Sequence, residues 1–138
     1  MARFVILYLG NDPGIASEVK LTAIRVFKDV LQFDLDRSAE AEMLLEKFRT
    51  DLIVADSSIP EKQLVHLQKK FPNIEAFLIG NTNSNLSANG FTIFSRENAK
   101  ESLKERLKEW KKSRMRATVK VGEALHSFSD YSVLVSEN

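Results

Sequence analysis

The chain has 138 residues, of which 43% are hydrophobic, and its 20 basic and 19 acidic residues leave a formal net charge of +1. This length fits one domain with an ordinary core, and the balanced charge gives no reason to expect nucleic acid or a membrane surface as a partner. The absence of cysteine excludes disulfides, cysteine-ligated metals and thiol catalysis. The apolar run at residues 4–9 is too short for a signal peptide or a membrane span, so we expect a cytoplasmic protein that makes no membrane contact.

Strands and helices alternate along the first half of the chain. Residues 4–9 are continuously apolar and predict a strand buried on both faces, which a turn at 10–14 and a helix over about 15–28 follow. Apolar and polar residues alternate over 31–36, which is typical of a strand at the edge of a sheet. Ser38 is the predicted N-cap of the second helix. The buried stripe of that helix is expected to contain Ala41, Leu44, Leu45 and Phe48.

The same alternation continues through the second half. Three further strands are predicted at residues 52–55, 76–79 and 91–94. A third helix should begin near Pro60, since proline suits the first turn of a helix, and should end at Pro72.

The last helix closes the predicted pattern. Ser95 is its expected cap, and its apolar stripe consists of Ala99, Leu103, Leu107 and Trp110. Alternating strands and helices imply right-handed crossovers and a parallel sheet that is covered on both faces. The sequence therefore predicts an α/β fold, a flavodoxin-like doubly wound sheet of five parallel strands in the order 2-1-3-4-5.

The segment between the fourth and fifth strands, residues 80–90, is short and is called the fourth connection below. It has no periodic apolar face and only Leu86 as an apolar anchor, so its helix is expected to be shortened or missing. Unless the loop covers them, Phe77, Phe91 and Phe94 of the sheet would then be exposed. The predicted interface with a partner or a second copy consists of Leu86, Phe91, Phe94 and Trp110.

Two passages resemble the receiver domains of two-component response regulators. One is Phe4 to Pro13, in which Asp12-Pro13 follows the first strand, and the other is Asp51-Leu52-Ile53-Val54-Ala55-Asp56-Ser57-Ser58-Ile59-Pro60. The resemblance covers roughly residues 3–112, and it places Asp56 in the position of the family's phospho-acceptor. It implies the fold described above and a role in signal transduction.

The family's chemistry requires more groups than this aspartate. In receivers, two consecutive carboxylates after the first strand hold Mg²⁺ with the acceptor, and a Thr or Ser and a Lys after the fourth and fifth strands contact the phosphoryl group. The corresponding positions in this chain are Gly10, Asn11, Gly80 and Phe94, and the nearest carboxylate is the offset Asp12. We therefore predict a degenerate receiver that is not an enzyme and has no catalytic residue, metal or cofactor, with Asp56 as a vestigial acceptor.

Three functions stay open at this point. The first is a phosphorylation-independent module that acts through a protein partner or a homodimer. The second is an atypical phospho- or metal-responsive switch that uses Asp56 and Asp12. The third is a sensor of a small anion or nucleotide bound by loops 10–14, 56–60 and 80–90, at the carboxyl ends of the strands.

The C-terminal residues do not fit a receiver. We expect a pseudo-receiver domain at 1–116 and an extension at 117–138. Residues 117–121 and 131–135 have strand character and predict either a hairpin or the start of a truncated output domain to which this domain is fused.

Overall fold

The computed structural model describes residues 3–80 and 84–126, and for 114–126 it describes the backbone alone. The strands are β1 (Phe4–Leu9), β2 (Val30–Leu35), β3 (Leu52–Asp56), β4 (Glu75–Gly80) and β5 (Phe91–Ser95). The helices are α1 (Pro13–Phe27), α2 (Ser38–Lys47), α3 (Glu61–Lys70) and α4 (Ala99–His126), with a short 3₁₀ helix at Asn85–Asn89. The strands form one parallel sheet in the order β2-β1-β3-β4-β5, which confirms the predicted flavodoxin-like fold.

The position of β1 inside the sheet explains why its sequence is apolar without alternation. In β1, Phe4, Ile6 and Tyr8 pack in one core between the sheet and helices α1 and α4. Leu7 and Leu9 pack in a second core on the opposite face, beneath α2 and α3. Side chains of a strand alternate between faces, so a strand that is covered twice needs apolar residues at every position. At the edge of the sheet, β2 is only partly buried, as its alternating pattern predicts.

Two predicted details of α2 are wrong. Ser38 is the first residue of the helix instead of its cap, because Arg37 takes the cap position and the Ser38 hydroxyl donates to Gln63 Oε1 at 2.9 Å. Phe48 lies just after the helix and is 54% exposed, although its ring lies 6.0 Å from that of Phe33. The helical stripe therefore ends before Phe48, since the chain leaves helical geometry there.

The last helix begins later than predicted. Ser95 is the final residue of β5, and its hydroxyl accepts from the Asn98 amide at 3.3 Å, so it organises the turn that precedes α4 and does not cap the helix itself. The predicted stripe is confirmed for Ala99, Leu103 and Leu107, all of which are buried. Trp110 is half-buried and packs edge-on against Phe4, 5.1 Å away between ring centroids.

The fourth connection is shortened, as predicted, and its described part closes over the sheet. Leu86, on the 3₁₀ helix, is 1% exposed and joins the core under α2 and α3. Gly90 ends this helix with φ of +89°, and a Cβ there would lie 2.6 Å from Gln68 Nε2 of α3. Phe91 is buried in the same core as Leu86, and Phe77 is buried in the core on the opposite face, beneath α1 and α4. The exposed patch of Phe77 and Phe91 that a missing helix could have left therefore does not form.

The C-terminal prediction fails where it can be checked. The backbone of α4 continues to His126, so the strand predicted at 117–121 is wrong. The strand predicted at 131–135 lies outside the described residues, and the division at residue 116 stays a prediction. Within residues 3–80 and 84–126, no helix is both long enough and apolar enough to cross a membrane.

Candidate functional site

The candidate site lies where β1 and β3 end side by side. Asp56 is the last residue of β3 and is only 4% exposed. Parallel strands present their carboxyl ends at the same edge of a sheet, where loops with functional residues usually meet. We call the group formed by Tyr8, Gly10, Asn11, Asp56 and Ser58 the Asp56 site.

The Asp56 carboxylate accepts four hydrogen bonds. Its Oδ1 accepts from the Ser58 amide at 2.9 Å and from the Ser58 hydroxyl. Its Oδ2 accepts from the Asn11 amide at 3.2 Å and from the Tyr8 hydroxyl. An ionised carboxylate offers about four lone-pair directions, so this set of donors saturates it. A buried carboxylate needs such partners, because leaving it without them would be costly.

Tyr8 is the partner that the sequence analysis missed. Its side chain is 2% exposed, and its hydroxyl donates to Asp56 while accepting from the Asp12 amide at 3.1 Å. Burial, reinforced by the bond to Asp56, raises the pKa of Tyr8 well above its ordinary value, so the phenol stays protonated and remains a donor. A lone hydroxyl in an otherwise apolar buried strand was the available signal, since buried tyrosines usually have a hydrogen-bond partner.

Gly10 lies against both groups. A Cβ at this position would lie 2.6 Å from the Tyr8 hydroxyl oxygen and closer still to Asp56 Oδ2. Its amide donates to Leu35 O at 2.9 Å, which fastens the loop to β2. Any side chain larger than hydrogen at residue 10 would therefore displace the Asp56 carboxylate or the phenol.

Asp12 is directed away from this network. Its Oδ1 caps α1 by accepting from the Gly14 and Ile15 amides at 2.9 and 3.2 Å. Its Oδ2 pairs with Arg96 Nη1 at 2.6 Å. The Arg96 hydrogen bond, followed by that of the Ile15 amide, holds the pKa of Asp12 below its ordinary value. Arg96 was not identified from the sequence, because nothing local links it to a carboxylate 84 residues away.

Gly80 and Phe94 lie where the resemblance would place a Thr or Ser and a Lys, and neither brings a polar side chain to the site. Gly80 has φ of +137°, and a Cβ there would lie 3.1 Å from Ser57 Oγ. Phe94 is half-buried and packs edge-on against Phe77 at 5.0 Å between centroids. An aromatic ring thus lies where the resemblance would place a lysine.

The predicted interface residues are not brought together on one surface. Leu86 and Phe91 lie in the core under α2 and α3, so their assignment to an exposed surface is wrong. Phe94 and Trp110 are partly buried and pack on the opposite face of the sheet.

The Asp56 site does not fit the Mg²⁺ ion that the resemblance implies. Mg²⁺ prefers several oxygen ligands with free lone pairs, and Asp56 has both oxygens occupied by donors. Among the residues that the structure describes, no group of three or more histidine, aspartate and glutamate side chains could hold a metal ion.

Comparison with known proteins identifies the fold. No protein-family model matches the sequence, and no curated protein matches it. The RcsB response regulator of Salmonella typhimurium has 16% identity and a TM-score of 0.67 over 82% of this chain, which spans 62% of that protein. A signal receiver domain of an HD domain-containing protein from Pseudomonas fluorescens has 16% identity and a TM-score of 0.63, over 78% of this chain and 94% of that one.

A third solved structure, a CheY-like response regulator receiver domain protein from Methanospirillum hungatei, also has 16% identity with this chain. Its TM-score is 0.58, over 81% of this chain and 99% of that one. At such identities the likeness establishes the fold, which is that of response regulator receiver domains.

Proposed function

We propose that this chain is a receiver-like signalling module that acts through protein contacts and does not accept a phosphoryl group at Asp56. The observation that carries the proposal is the saturated Asp56 carboxylate, whose oxygens accept from Tyr8, Asn11 and Ser58. The receiver fold supports the signalling role, and the site's geometry supports the loss of phosphorylation chemistry.

Phosphoryl transfer to an aspartate needs an oxygen that is free to attack and positive charge beside the oxygens of the phosphoryl group. In this chain, attack through either oxygen would first break hydrogen bonds in a buried site, at roughly 1–3 kcal/mol for each partner left unsatisfied. Arg96, the cationic side chain that borders the site, is already paired with Asp12. Both requirements therefore work against transfer.

The decisive experiment is incubation with acetyl phosphate and Mg²⁺, followed by intact-mass measurement. We expect no increase by one phosphoryl group in the wild-type chain, while an active receiver in the same mixture becomes modified. Asp56→Asn is the matched control for modification elsewhere. A phosphoryl adduct on the wild-type chain that Asp56→Asn lacks would overturn the proposal.

The geometry gives less support to the alternative functions. A switch that uses Asp12 with Asp56 would need both carboxylates at one ligand, whereas Asp12 is engaged by Arg96 and by the start of α1. A small-anion sensor would need free donors at the same edge of the sheet, and the amides of Asn11, Gly14 and Ser58 already have carboxylate acceptors.

We further propose a cytoplasmic chain with a protein partner or a homodimer contact and a fused output domain. One solved structure of similar fold contains two RcsB dimers bound to two parallel DNAs, and this chain covers 69% of that protein. Sedimentation equilibrium tests the homodimer directly: a concentration-dependent mass above that of one chain supports it, and a constant monomer mass directs the proposal to a different partner protein.

A further inference from the structure

We infer that the Tyr8 hydroxyl takes the place of the cation at Asp56, as a permanent ligand that joins the β1–α1 loop to the β3–α3 loop. The inference rests on the proposed function, since it concerns the same carboxylate and explains how the site is closed. It also assigns a role to a residue that the receiver resemblance leaves without one.

The Tyr8 hydroxyl lies between two segments that are distant in sequence. Tyr8 donates to Asp56, 48 residues away, and accepts from the Asp12 amide at 3.1 Å. The Asn11 amide adds a parallel bond to Asp56 Oδ2 at 3.2 Å. These three bonds hold the loop after β1 against the end of β3. A cation shared by carboxylates on both loops would hold them in a similar way.

The position of the Tyr8 hydroxyl depends on the absence of a side chain at Gly10. Residues 8 and 10 point to the same face of the strand end, so the phenol extends into the space that a side chain at residue 10 would fill. A Cβ at Gly10 would lie 2.6 Å from the hydroxyl oxygen. The hydroxyl and a carboxylate at residue 10 therefore exclude each other. A Cβ there would lie closer still to Asp56 Oδ2, the oxygen that accepts from the hydroxyl, so the hydrogen bond between Tyr8 and Asp56 requires a glycine at residue 10.

The phenol of Tyr8 differs in its chemistry from the cation whose place it takes. A neutral phenol neutralises no charge, but it supplies one directed donor and one acceptor, and both are used here. Because Tyr8 belongs to a buried strand, it cannot leave the site as an ion can. The two loops are thus fixed in one arrangement, whatever the concentration of divalent cations.

The test is a Mn²⁺ titration of the isotopically labelled full chain, followed by paramagnetic broadening of backbone amide signals. For the wild-type chain we expect no localised broadening at Asn11 and Ser58. The variant Tyr8→Phe/Gly10→Asp removes the hydroxyl and adds a carboxylate, so we expect broadening at both amides. Adding Asp56→Asn to that variant should abolish it. Broadening in the wild-type chain, or its absence in the folded double variant, would overturn the inference.

A second measurement keeps the inference testable if the double variant does not fold. Tyr8→Phe keeps the ring in the core and removes only the bridge. We expect the Asn11 and Asp12 amides to exchange with solvent about tenfold faster, as the loss of one buried hydrogen bond implies, and the β4 amides to be unchanged. Unchanged exchange rates at Asn11 and Asp12 would contradict the inference that the Tyr8 hydroxyl joins the two loops.

The two proposals fail in different ways. Phosphorylation of the wild-type chain at Asp56 would defeat the proposed function. A wild-type chain that stays unmodified, together with loops that do not respond to Tyr8→Phe, would defeat only the role given to Tyr8.

Discussion

The Asp56 site and the fourth connection are both closed, but by opposite means. At the Asp56 site, four hydrogen bonds from three residues saturate one buried carboxylate. At the fourth connection, a single apolar side chain, Leu86, fastens the 3₁₀ helix to the core. Hydrogen bonds are directional and shared among several partners, whereas a lone apolar anchor works through burial alone.

This difference indicates how each region should respond to change. Loss of one donor at Asp56 leaves three others in place, so the network should loosen without opening. Loss of Leu86 removes the only side chain of the described connection that is buried in the core. We therefore expect mutations to affect global stability most at the connection and local order most at the site.

The largest effect is expected for Leu86→Ala. The substitution leaves a cavity under α3 and should lower the free energy of unfolding by about 2–5 kcal/mol, as measured by urea denaturation. Leu21→Ala is the matched control, because Leu21 is 57% exposed on α1 and its loss should change stability by about 0.5 kcal/mol or less. Equal stability of the two variants would show that the connection does not depend on its anchor.

Gly10→Ala should have the next largest effect. The new methyl group collides with Asp56 and the Tyr8 hydroxyl, so we expect a loss of about 1–3 kcal/mol in urea denaturation. Gly14→Ala is the control, since a Cβ there would lie 3.1 Å from Asp12 Oδ1 and 3.9 Å from Arg96 Nη2, which are much longer distances than those at Gly10.

A double-mutant cycle sharpens this prediction. In a Tyr8→Phe background one of the colliding groups is gone, so Gly10→Ala should cost less than it does in the wild-type chain, by about 0.5 kcal/mol or more. Strict additivity would contradict the direct contact between residues 8 and 10.

The sequence was sufficient to predict the fold but not the Asp56 site, and the reason is physical. The β1 and β3 runs are continuously apolar and the stripe with Leu103 and Leu107 is periodic, and both kinds of pattern specify burial locally. The bonds of Asp56 to Tyr8 and Asn11 join residues 48 and 45 positions apart, and no local pattern encodes such a pairing. The lack of a periodic apolar face likewise predicted a shortened fourth connection with Leu86 as its apolar anchor, but not that this side chain would pack in the core under α2 and α3.

The errors at helix ends have a related cause. Ser38 and Ser95 both have a side chain that is favourable at a helix N-cap. The cap of α2 is nevertheless Arg37, and Ser95 belongs to the turn before α4. Cap identity depends on where the backbone leaves helical geometry, and tertiary packing moves that point by a few residues.

The smallest effect is expected at the border of the site, in the ion pair of Asp12 with Arg96. The fold lowers the pKa of Asp12 from its ordinary 3.8, and the Arg96 hydrogen bond is the largest cause. The stabilisation is therefore present above the unfolded pKa and is lost as the pH falls through the lower folded value. Arg96→Gln should reduce stability slightly at neutral pH, and the difference from the wild-type chain should shrink below about pH 4.

Thermal unfolding followed between pH 2 and 7 measures this difference. Arg106→Gln is the comparison, because it also removes one positive charge together with an ion pair, that of Arg106 with Glu75 away from the site. Because the Arg96 and Asp12 side chains are 56% and 31% exposed, water and salt screen the pair, and the effect should be the smallest of the three. An Arg96→Gln curve that runs parallel to the wild-type curve down to pH 2 would show that Asp12 owes its low pKa to the α1 amides alone. In that case Arg96 would be available to bind an anion or a carboxylate of a partner, and the closed site would consist of the Asp56 site alone, without the ion pair.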